Sequence, residues 1–214
     1  MRSLRTVIAV EGSTDETFFR SLLDRALQEI GRTHPGKGFD VAQPAVLRRA
    51  EDTWRTFTGQ IVAQKPAPSL VFFHYDGTSR PEREAAKSWE PMVAEWATSP
   101  REPMLVPLVP VREMESWALT DLDVINGLAG VDVARSDIFE AHHLTQVEKL
   151  SDPKRTLSEA LRSGTRRRRR GRSPHDYLAL IAELSDLARL GTVPSFCAWR
   201  TETVSALKTS GFIE

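Results

Sequence analysis

Carboxylates stand shortly after three apolar segments of this chain, an arrangement that suits metal binding. The acids and their segments are Glu11 after Val7–Val10, Asp76 after Ser69–His74, and Glu115 after Met104–Val111. Each segment has the length and composition of a buried strand. The carboxyl ends of parallel strands share one edge of a sheet, where open α/β proteins bind their ligands. Since hard cations prefer oxygen ligands, the pattern predicts a divalent-metal site at that edge.

The elements that must position these acids alternate between strands and helices. Helical patterns cover residues 14–30, 50–64 and 79–96, and a further strand is predicted over 39–47. This order predicts an α/β fold with a mostly parallel sheet, flanking helices and right-handed crossovers. Pro107 and Pro110 predict that the last strand ends early or lies at the edge of the sheet.

Two further acids, Asp15 and Glu16, lie in the predicted first turn of the helix after Glu11. Ser13 and Glu16 have the spacing of a capping box, which explains Glu16 as a cap rather than a ligand. Asp15 is left open between an ordinary first-turn acid and a metal ligand. Glu11 precedes the predicted cap and stands beside Gly12, where the backbone can approach a ligand closely, so Glu11 is the first candidate ligand.

The acids near the other two strand ends leave alternatives open. Asp76 and Gly77 also form a common turn pair, so Asp76 is weighed between a turn residue and a metal ligand. Glu113 and Glu115 are two residues apart at a predicted helix start, where they cannot share a face. One of them is therefore expected at the site and the other in solvent. Asp121 is left open between capping the next helix and completing the site.

The chain changes character after residue 125. The pattern predicts a metal-binding α/β domain over 1–125 and a mainly helical region over 126–214. The second region contains consecutive arginines followed closely by one more, namely Arg166, Arg167, Arg168, Arg169, Arg170 and Arg172. Such a run attracts phosphates and predicts contact with nucleic acid, although a solvated loop explains it as well.

Composition excludes several classes of protein. Lys and Arg total 29, as do Asp and Glu, so the zero net charge by itself implies neither a nucleic-acid nor a membrane partner. The single cysteine, Cys197, excludes an internal disulfide framework and a cysteine zinc cluster. No apolar run approaches the ~20 residues that span a bilayer. The chain enters a strand almost at once, without a signal peptide, so a cytoplasmic protein is expected.

The three acidic motifs together resemble those of the Toprim domain, a metal-binding fold of topoisomerases, primases, some ribonucleases and OLD-family nucleases. The glutamate that ends the first Toprim strand matches Glu11 in VIAVEGSTDETFF, and the Asp-x-Asp motif matches Asp76 in LVFFHYDGTS. The segment REMESWALTD, with Glu115, resembles a motif of a narrower group, the prokaryotic domain-of-unknown-function family 4276. The later segments PKRTLSEAL and PSFCAW also resemble that family, which is related to OLD-type proteins and often found near phage-defence genes.

This resemblance implies a Toprim-like fold and a Mg²⁺- or Mn²⁺-dependent nuclease that hydrolyses DNA or RNA as an effector of bacterial anti-phage defence. Glu11, Asp76 and Glu115 would be the catalytic residues, and Asp15 and Asp121 would help them to hold one or two ions. Any ATPase would be a separate partner protein. A homo-oligomer stays open.

One departure from the Toprim pattern supports a second hypothesis. The second acid of the Asp-x-Asp motif is missing, because Thr78 stands in its place. A hydroxyl group can bind Mg²⁺ or hold a metal-bound water, but it brings no charge. The alternative to a nuclease is therefore a non-catalytic module that binds nucleic acid or a partner protein within a defence complex.

Overall fold

The structure is a computed structural model that describes residues 2–36, 38–49, 53–99, 103–130, 133–134, 144–165 and 174–214. Its strands are β1 (Arg2–Leu4), β2 (Thr6–Val10), β3 (Phe39–Val41), β4 (Ala45–Arg48), β5 (Leu70–His74) and β6 (Met104–Leu108). Its α-helices are α1 (Ser13–Thr33), α2 (Trp54–Val62), α3 (Pro81–Glu84), α4 (Glu90–Trp96), α5 (Glu115–Ala118), α6 (Leu122–Ala129), α7 (Pro153–Thr165), α8 (Pro174–Leu184), α9 (Leu187–Leu190) and α10 (Pro194–Thr209). A π-helical segment (Ala85–Trp89) joins α3 to α4, and a 3-10 helix covers Leu144–Lys149. In the described part of the chain, no helix combines the length and apolar character needed to cross a membrane.

Four strands form the main sheet in the order β4-β2-β5-β6, and every neighbouring pair is parallel. Strands β1 and β3 form a separate two-stranded parallel sheet. The predicted α/β fold is therefore confirmed, with a mostly parallel sheet flanked by helices and further helices after it. Strand β6 contains Pro107, ends at Leu108 and lies at the sheet edge, as the prolines predict.

Both faces of the main sheet are buried, and side chains alternate between them along each strand. On one face Ile8 and Phe72 belong to a core that includes α1 and the C-terminal helices. On the other face Val7 and Phe73 belong to a core with α2 and the helical stretch that ends with α4. Because helices cover both faces, β2 and β5 are buried along their whole length and largely apolar.

The C-terminal helices take part in the core on the α1 side of the sheet. The indole of Trp199 in α10 lies 5.8 Å from the ring of Phe72 in β5, between centroids. Arg25 in α1 donates hydrogen bonds to the carbonyl oxygens of Ala182 and Ser185, at 2.7 and 2.8 Å. These contacts attach the helical region to the sheet, and the division of the chain after residue 125 stays a prediction.

The single strand predicted over 39–47 is wrong, because the chain makes two strands there. Strand β3 ends at Val41, and β4 begins at Ala45, after Pro44. The two strands pair with different partners, β3 with β1 and β4 with β2. Proline lacks a backbone N–H for a sheet ladder, which is consistent with a break at this point.

Candidate metal centre

Glu11 and Asp76 lie where the connections of the main sheet change direction. Strands β2 and β5 are neighbours, but the chain leaves β2 toward β4 on one side and leaves β5 toward β6 on the other. The ends of two such strands form a crevice, the usual ligand position in open α/β sheets. Glu11 directly follows β2, Asp76 follows the end of β5, and the charge of Glu11 acts on Asp76. The structure thus brings together the two acids predicted at these strand ends.

Backbone hydrogen bonds join the loop after β5 to the loop after β6. Gly77 donates its N–H to the carbonyl oxygen of Pro110 at 3.0 Å, and Thr78 and Arg112 exchange backbone hydrogen bonds of 3.3 and 3.2 Å. Both Thr78 and Arg112 have positive φ, 47° and 70°, which residues other than glycine rarely adopt. The Oγ1 of Thr78 accepts the N–H of Arg80 at 3.2 Å, so the residue in place of the second acid serves the turn.

The hydrogen bonds between these two loops bring two more acids close to Asp76. Helix α5 begins at Glu115, which is 8% exposed. Glu113 lies before the helix, and its Oε2 is buried without a hydrogen-bond partner among the described residues. The charges of both carboxylates act on Asp76. The expectation that one of them faces solvent is wrong, because helical spacing does not apply to a residue that precedes the helix.

The site holds more negative charge than its surroundings neutralise. We call Glu11, Asp15, Asp76, Glu113 and Glu115 the acidic cluster. Burial raises the pKa of Asp76, and the charges of the other four members raise it further, to about 7. Burial is the largest cause of this rise in pKa, although 39% of the Asp76 side chain is exposed to solvent. Nearby negative charges favour the protonated form of a carboxylic acid, so the rise in the pKa of Asp76 reflects the other carboxylates close to it as well as its burial.

Asp15 serves both the first helix and the acidic cluster. Its Oδ2 accepts the N–H of Gly12, the residue before α1, at 2.8 Å. The prediction that Glu16 provides the cap is therefore wrong, since the helix begins one residue earlier than predicted and the capping position moves with it. Glu16 instead pairs with Arg20 at 3.1 Å and with Arg48 at 2.7 Å.

His74, the last residue of β5, directs one ring nitrogen toward the acidic cluster. Its side chain is 0% exposed, and Nδ1 lies 3.0 Å from the carbonyl oxygen of Leu108. A carbonyl oxygen only accepts, so Nδ1 carries a proton and Nε2 of the neutral ring presents a lone pair. This Nε2 lies 3.7 Å from Oδ1 of both Asp15 and Asp76 and has no hydrogen-bond partner in the described part of the chain. Burial lowers the pKa of His74, which favours the neutral ring.

Two positive side chains flank the acidic cluster. Arg49, directly after β4, forms an ion pair with Glu11 through Nη2. Its Nη1 is buried and has no hydrogen-bond partner among the residues described, and its guanidinium lies 5.4 Å from the ring centroid of Trp54. Burial raises the pKa of Glu115, and the positive charge of Lys154 in α7 acts in the opposite direction. Sequence reasoning did not select Arg49 or Lys154.

The structure places Asp121 in a separate set of contacts. Its Oδ1 accepts the N–H of Val124 at 3.4 Å, which caps α6. The same carboxylate accepts hydrogen bonds from the Asp186 N–H at 2.9 Å and from Arg189 at 2.8 Å. The alternative left open for Asp121 is therefore resolved in favour of the cap, and we leave it out of the proposed metal site.

The acidic cluster has the donor chemistry of a divalent-metal site. As the side chains stand, no three His, Cys, Asp or Glu residues of the described ranges converge at the spacing of a single metal shell. The cluster nevertheless combines carboxylate oxygens, the unpartnered Nε2 of His74 and a charge repulsion that adds to burial in raising the pKa of Asp76. Hard divalent cations bind such oxygens and would relieve this repulsion. The residues present fit a divalent cation.

The chain is similar to known proteins at two levels. In structure it resembles the C-terminal region of the Burkholderia pseudomallei OLD protein, with 12% identity and a TM-score of 0.38 over 97% of this chain and 98% of that one. An identity and a TM-score this low support no conclusion about activity. No curated protein matches the sequence. Residues 10–202 match the family described as Domain of unknown function (DUF4276), which confirms the resemblance of the motifs. The match runs from the end of β2 into α10, and the chain belongs to the DUF4276 family.

Proposed function

We propose that the protein is a divalent-metal-dependent nuclease that hydrolyses phosphodiester bonds of DNA or RNA at the acidic cluster. The observation that supports this most strongly is the gathering of five carboxylates at the crevice between β2 and β5, where burial and then the charges of the other four raise the pKa of Asp76 to about 7. A divalent cation bound there would relieve the repulsion that Asp76 experiences. Ions of this kind are bound by protein carboxylates together with substrate phosphates.

The carboxylates of the acidic cluster would hold the ion. They belong to Glu11, Asp15, Asp76, Glu113 and Glu115. Bound Mg²⁺ or Mn²⁺ supplies a Lewis acid that activates water and stabilises charge on the leaving oxygen.

The positive residues beside the cluster would bind the substrate. The Arg49 side chain is 25% exposed beside Glu11, and the charge of Lys154 in α7 acts on Glu115. Contacts of this kind go to phosphates, so they position a nucleic acid without reading its sequence. Arg166–Arg170 and Arg172 lie outside the described residues, and their contact with nucleic acid stays part of the proposal. A role in anti-phage defence beside a separate ATPase is proposed from the family resemblance.

A cleavage assay tests the proposed activity. The purified chain is incubated with end-labelled DNA and RNA, single- and double-stranded, in Mg²⁺, Mn²⁺ or EDTA. We expect cleavage with metal and none in EDTA, and a loss of roughly 100-fold or more in Glu11→Gln and in Asp76→Asn. The matched control is Asp123→Asn, since the Asp123 side chain is 75% exposed and pairs with Arg189 instead. Metal-dependent cleavage that survives both cluster substitutions would contradict the assignment.

Two observations favour the non-catalytic module as a second candidate. Thr78 stands where a second acid is expected, and its Oγ1 already accepts a backbone N–H. Glu11 is already paired with Arg49. In this case the protein binds nucleic acid with an affinity that falls with salt and shows no cleavage in either metal. Gel-shift and cleavage measurements on the same samples separate the two functions.

A further inference from the structure

His74 presents a nitrogen lone pair to oxygens that also present lone pairs. Its Nε2 faces Oδ1 of Asp15 and Oδ1 of Asp76 at 3.7 Å each, beyond hydrogen-bond distance. The His74 side chain is 0% exposed, and Nε2 has no partner among the described residues. A buried polar atom without a partner is costly, so this arrangement calls for something positive between the three atoms.

The other side of the ring is held as in a metal-binding histidine. Nδ1 donates to the carbonyl oxygen of Leu108 at 3.0 Å, which fixes the tautomer and directs the lone pair of Nε2 toward the carboxylates. A histidine ligand almost always donates its second N–H to a carbonyl or carboxylate in this way. The ring is also packed against Phe19, with 4.7 Å between centroids, so its orientation is set by the core.

The distances from Nε2 to the two carboxylate oxygens lie close to the spacing between ligand atoms in a metal shell. Ligand atoms about 2.1 Å from an ion are about 3.0 to 3.5 Å from each other in tetrahedral or octahedral shells. The observed separations of 3.7 Å exceed this by a few tenths of an ångström. To close that gap, the Asp15 and Asp76 side chains would have to move toward His74, whose ring is packed against Phe19.

We propose that His74 Nε2 is a ligand of the metal ion, together with Asp15 and Asp76, and that the site therefore selects a first-row transition ion such as Mn²⁺ over Mg²⁺. Mg²⁺ is bound almost entirely by oxygen, whereas imidazole nitrogen favours transition ions. The inference rests on the metal site of the function proposed above, but it concerns the choice of ion and not cleavage.

The test measures metal binding without nucleic acid. Calorimetric titration of the metal-free chain should give a Mn²⁺ dissociation constant at least about tenfold below that for Mg²⁺. In His74→Asn the Mn²⁺ affinity should fall at least about tenfold, with Mg²⁺ affinity changed by less than about threefold. The matched control His34→Asn should bind both ions as the unaltered chain does, because His34 bonds the carbonyl oxygen of Ile30 in α1.

Pulsed electron paramagnetic resonance of bound Mn²⁺ gives a direct readout. The unaltered chain should show modulation from a coordinated nitrogen, which changes on labelling with ¹⁵N-histidine and disappears in His74→Asn but not in His34→Asn. Where His74→Asn fails to fold, the labelled unaltered chain still shows whether a histidine is coordinated, and an absence of nitrogen modulation there would overturn the inference. Bound Mn²⁺ without nitrogen modulation, or equal affinities for Mn²⁺ and Mg²⁺, would overturn the inference and leave an oxygen-only nuclease site intact. No binding of either ion would overturn both proposals.

Discussion

Asp121 and Arg189 form a hydrogen-bonded ion pair of 2.8 Å that ties the start of α6 to α9. Asp121 is 3% exposed and also accepts the N–H of Asp186. We expect Asp121→Ala to lower the free energy of unfolding by about 3 kcal/mol, because it leaves these donors without their acceptor. Urea unfolding followed by circular dichroism measures the loss.

Asp123 provides a matched control for Asp121. It pairs with the same Arg189 at 2.6 Å, but its side chain is 75% exposed. Asp123→Ala should therefore cost at most about 1 kcal/mol. Neither substitution should change Mn²⁺ affinity, and a loss of metal binding in Asp121→Ala would return Asp121 to the metal site.

Asp15 accepts the Gly12 N–H in place of Glu16, and matched amide substitutions separate the two residues. Asp15→Asn keeps an oxygen that can accept the Gly12 N–H but removes a charge from the acidic cluster. We expect Mn²⁺ affinity to fall at least about tenfold in Asp15→Asn. Glu16→Gln loses only partly exposed pairs with Arg20 and Arg48, so its Mn²⁺ affinity should stay within about twofold. Equal losses in both variants, measured by calorimetry, would contradict this assignment.

The raised pKa of Asp76 gives the metal-free protein a definite pH dependence. The folded state holds a proton on Asp76 up to a pKa of about 7, whereas the unfolded chain releases it near its ordinary value of 3.8. Between these values the folded state binds more protons, so this group makes stability fall as pH rises from about 4 to about 7. Asp76→Asn removes that contribution.

Thermal unfolding in EDTA measures the effect. Relative to the unaltered chain, Asp76→Asn should gain roughly 2 to 4 °C in Tm on going from pH 5 to pH 8. The gain is modest because solvent screens a side chain that is 39% exposed. A Tm difference between the two proteins that is independent of pH would show that Asp76 ionises normally.

Arg49 should influence metal and nucleic acid in opposite directions. Arg49→Ala frees Glu11 from its ion pair and removes a positive charge, so Mn²⁺ affinity should rise. It also removes the guanidinium charge that we propose acts on phosphates, so nucleic-acid affinity should fall about tenfold and the salt slope of binding by about one unit. Arg48→Ala is the control, because the Arg48 side chain is 59% exposed and pairs with Glu16. Equal weakening of nucleic-acid binding in both variants would point to a diffuse charge effect.

Trp199 tests whether the helical region unfolds together with the sheet. Its ring lies near those of Phe72 and Phe196, at 5.8 and 5.2 Å, so Trp199→Ala should cost about 3 to 5 kcal/mol. We expect one shifted transition by both fluorescence and circular dichroism. The control Leu184→Ala should cost less than about 0.5 kcal/mol, since Leu184 is 55% exposed. Two transitions, with the first alone shifted, would support a separate domain after residue 125.

The sequence predicts the sheet and its two leading acids because both depend on local patterns. Apolar runs before Glu11 and Asp76 identify β2 and β5, and the alternation with helices implies parallel pairing. The break between β3 and β4 escapes prediction because β3 pairs with Arg2–Leu4, a partner remote in the chain. Local propensity carries no information about such pairing.

The remaining site residues escape prediction because the folded backbone places them. Glu113 reaches the cluster only because Gly77 and Thr78 bond to the loop after β6. The sequence leaves His74 open between a buried strand residue and a neighbour of the site, and only the fold shows that its Nε2 has no partner among the described residues. Arg49 stands after a short strand that no motif marks. No spacing pattern in the sequence shows that these three side chains lie at the acidic cluster.

The close approach at Gly77 has a consequence for how an ion binds. A Cβ atom at this position would stand 2.9 Å from the carbonyl oxygen of Pro110, so a larger residue would force the two loops apart. With glycine the loops stay joined, so the backbone segments that carry Asp76 and Glu113 stay close together. The backbone of the proposed site is therefore preorganised. Binding of an ion would require side-chain adjustment but no movement of these two loops, and less of its binding energy would be lost to ordering the chain.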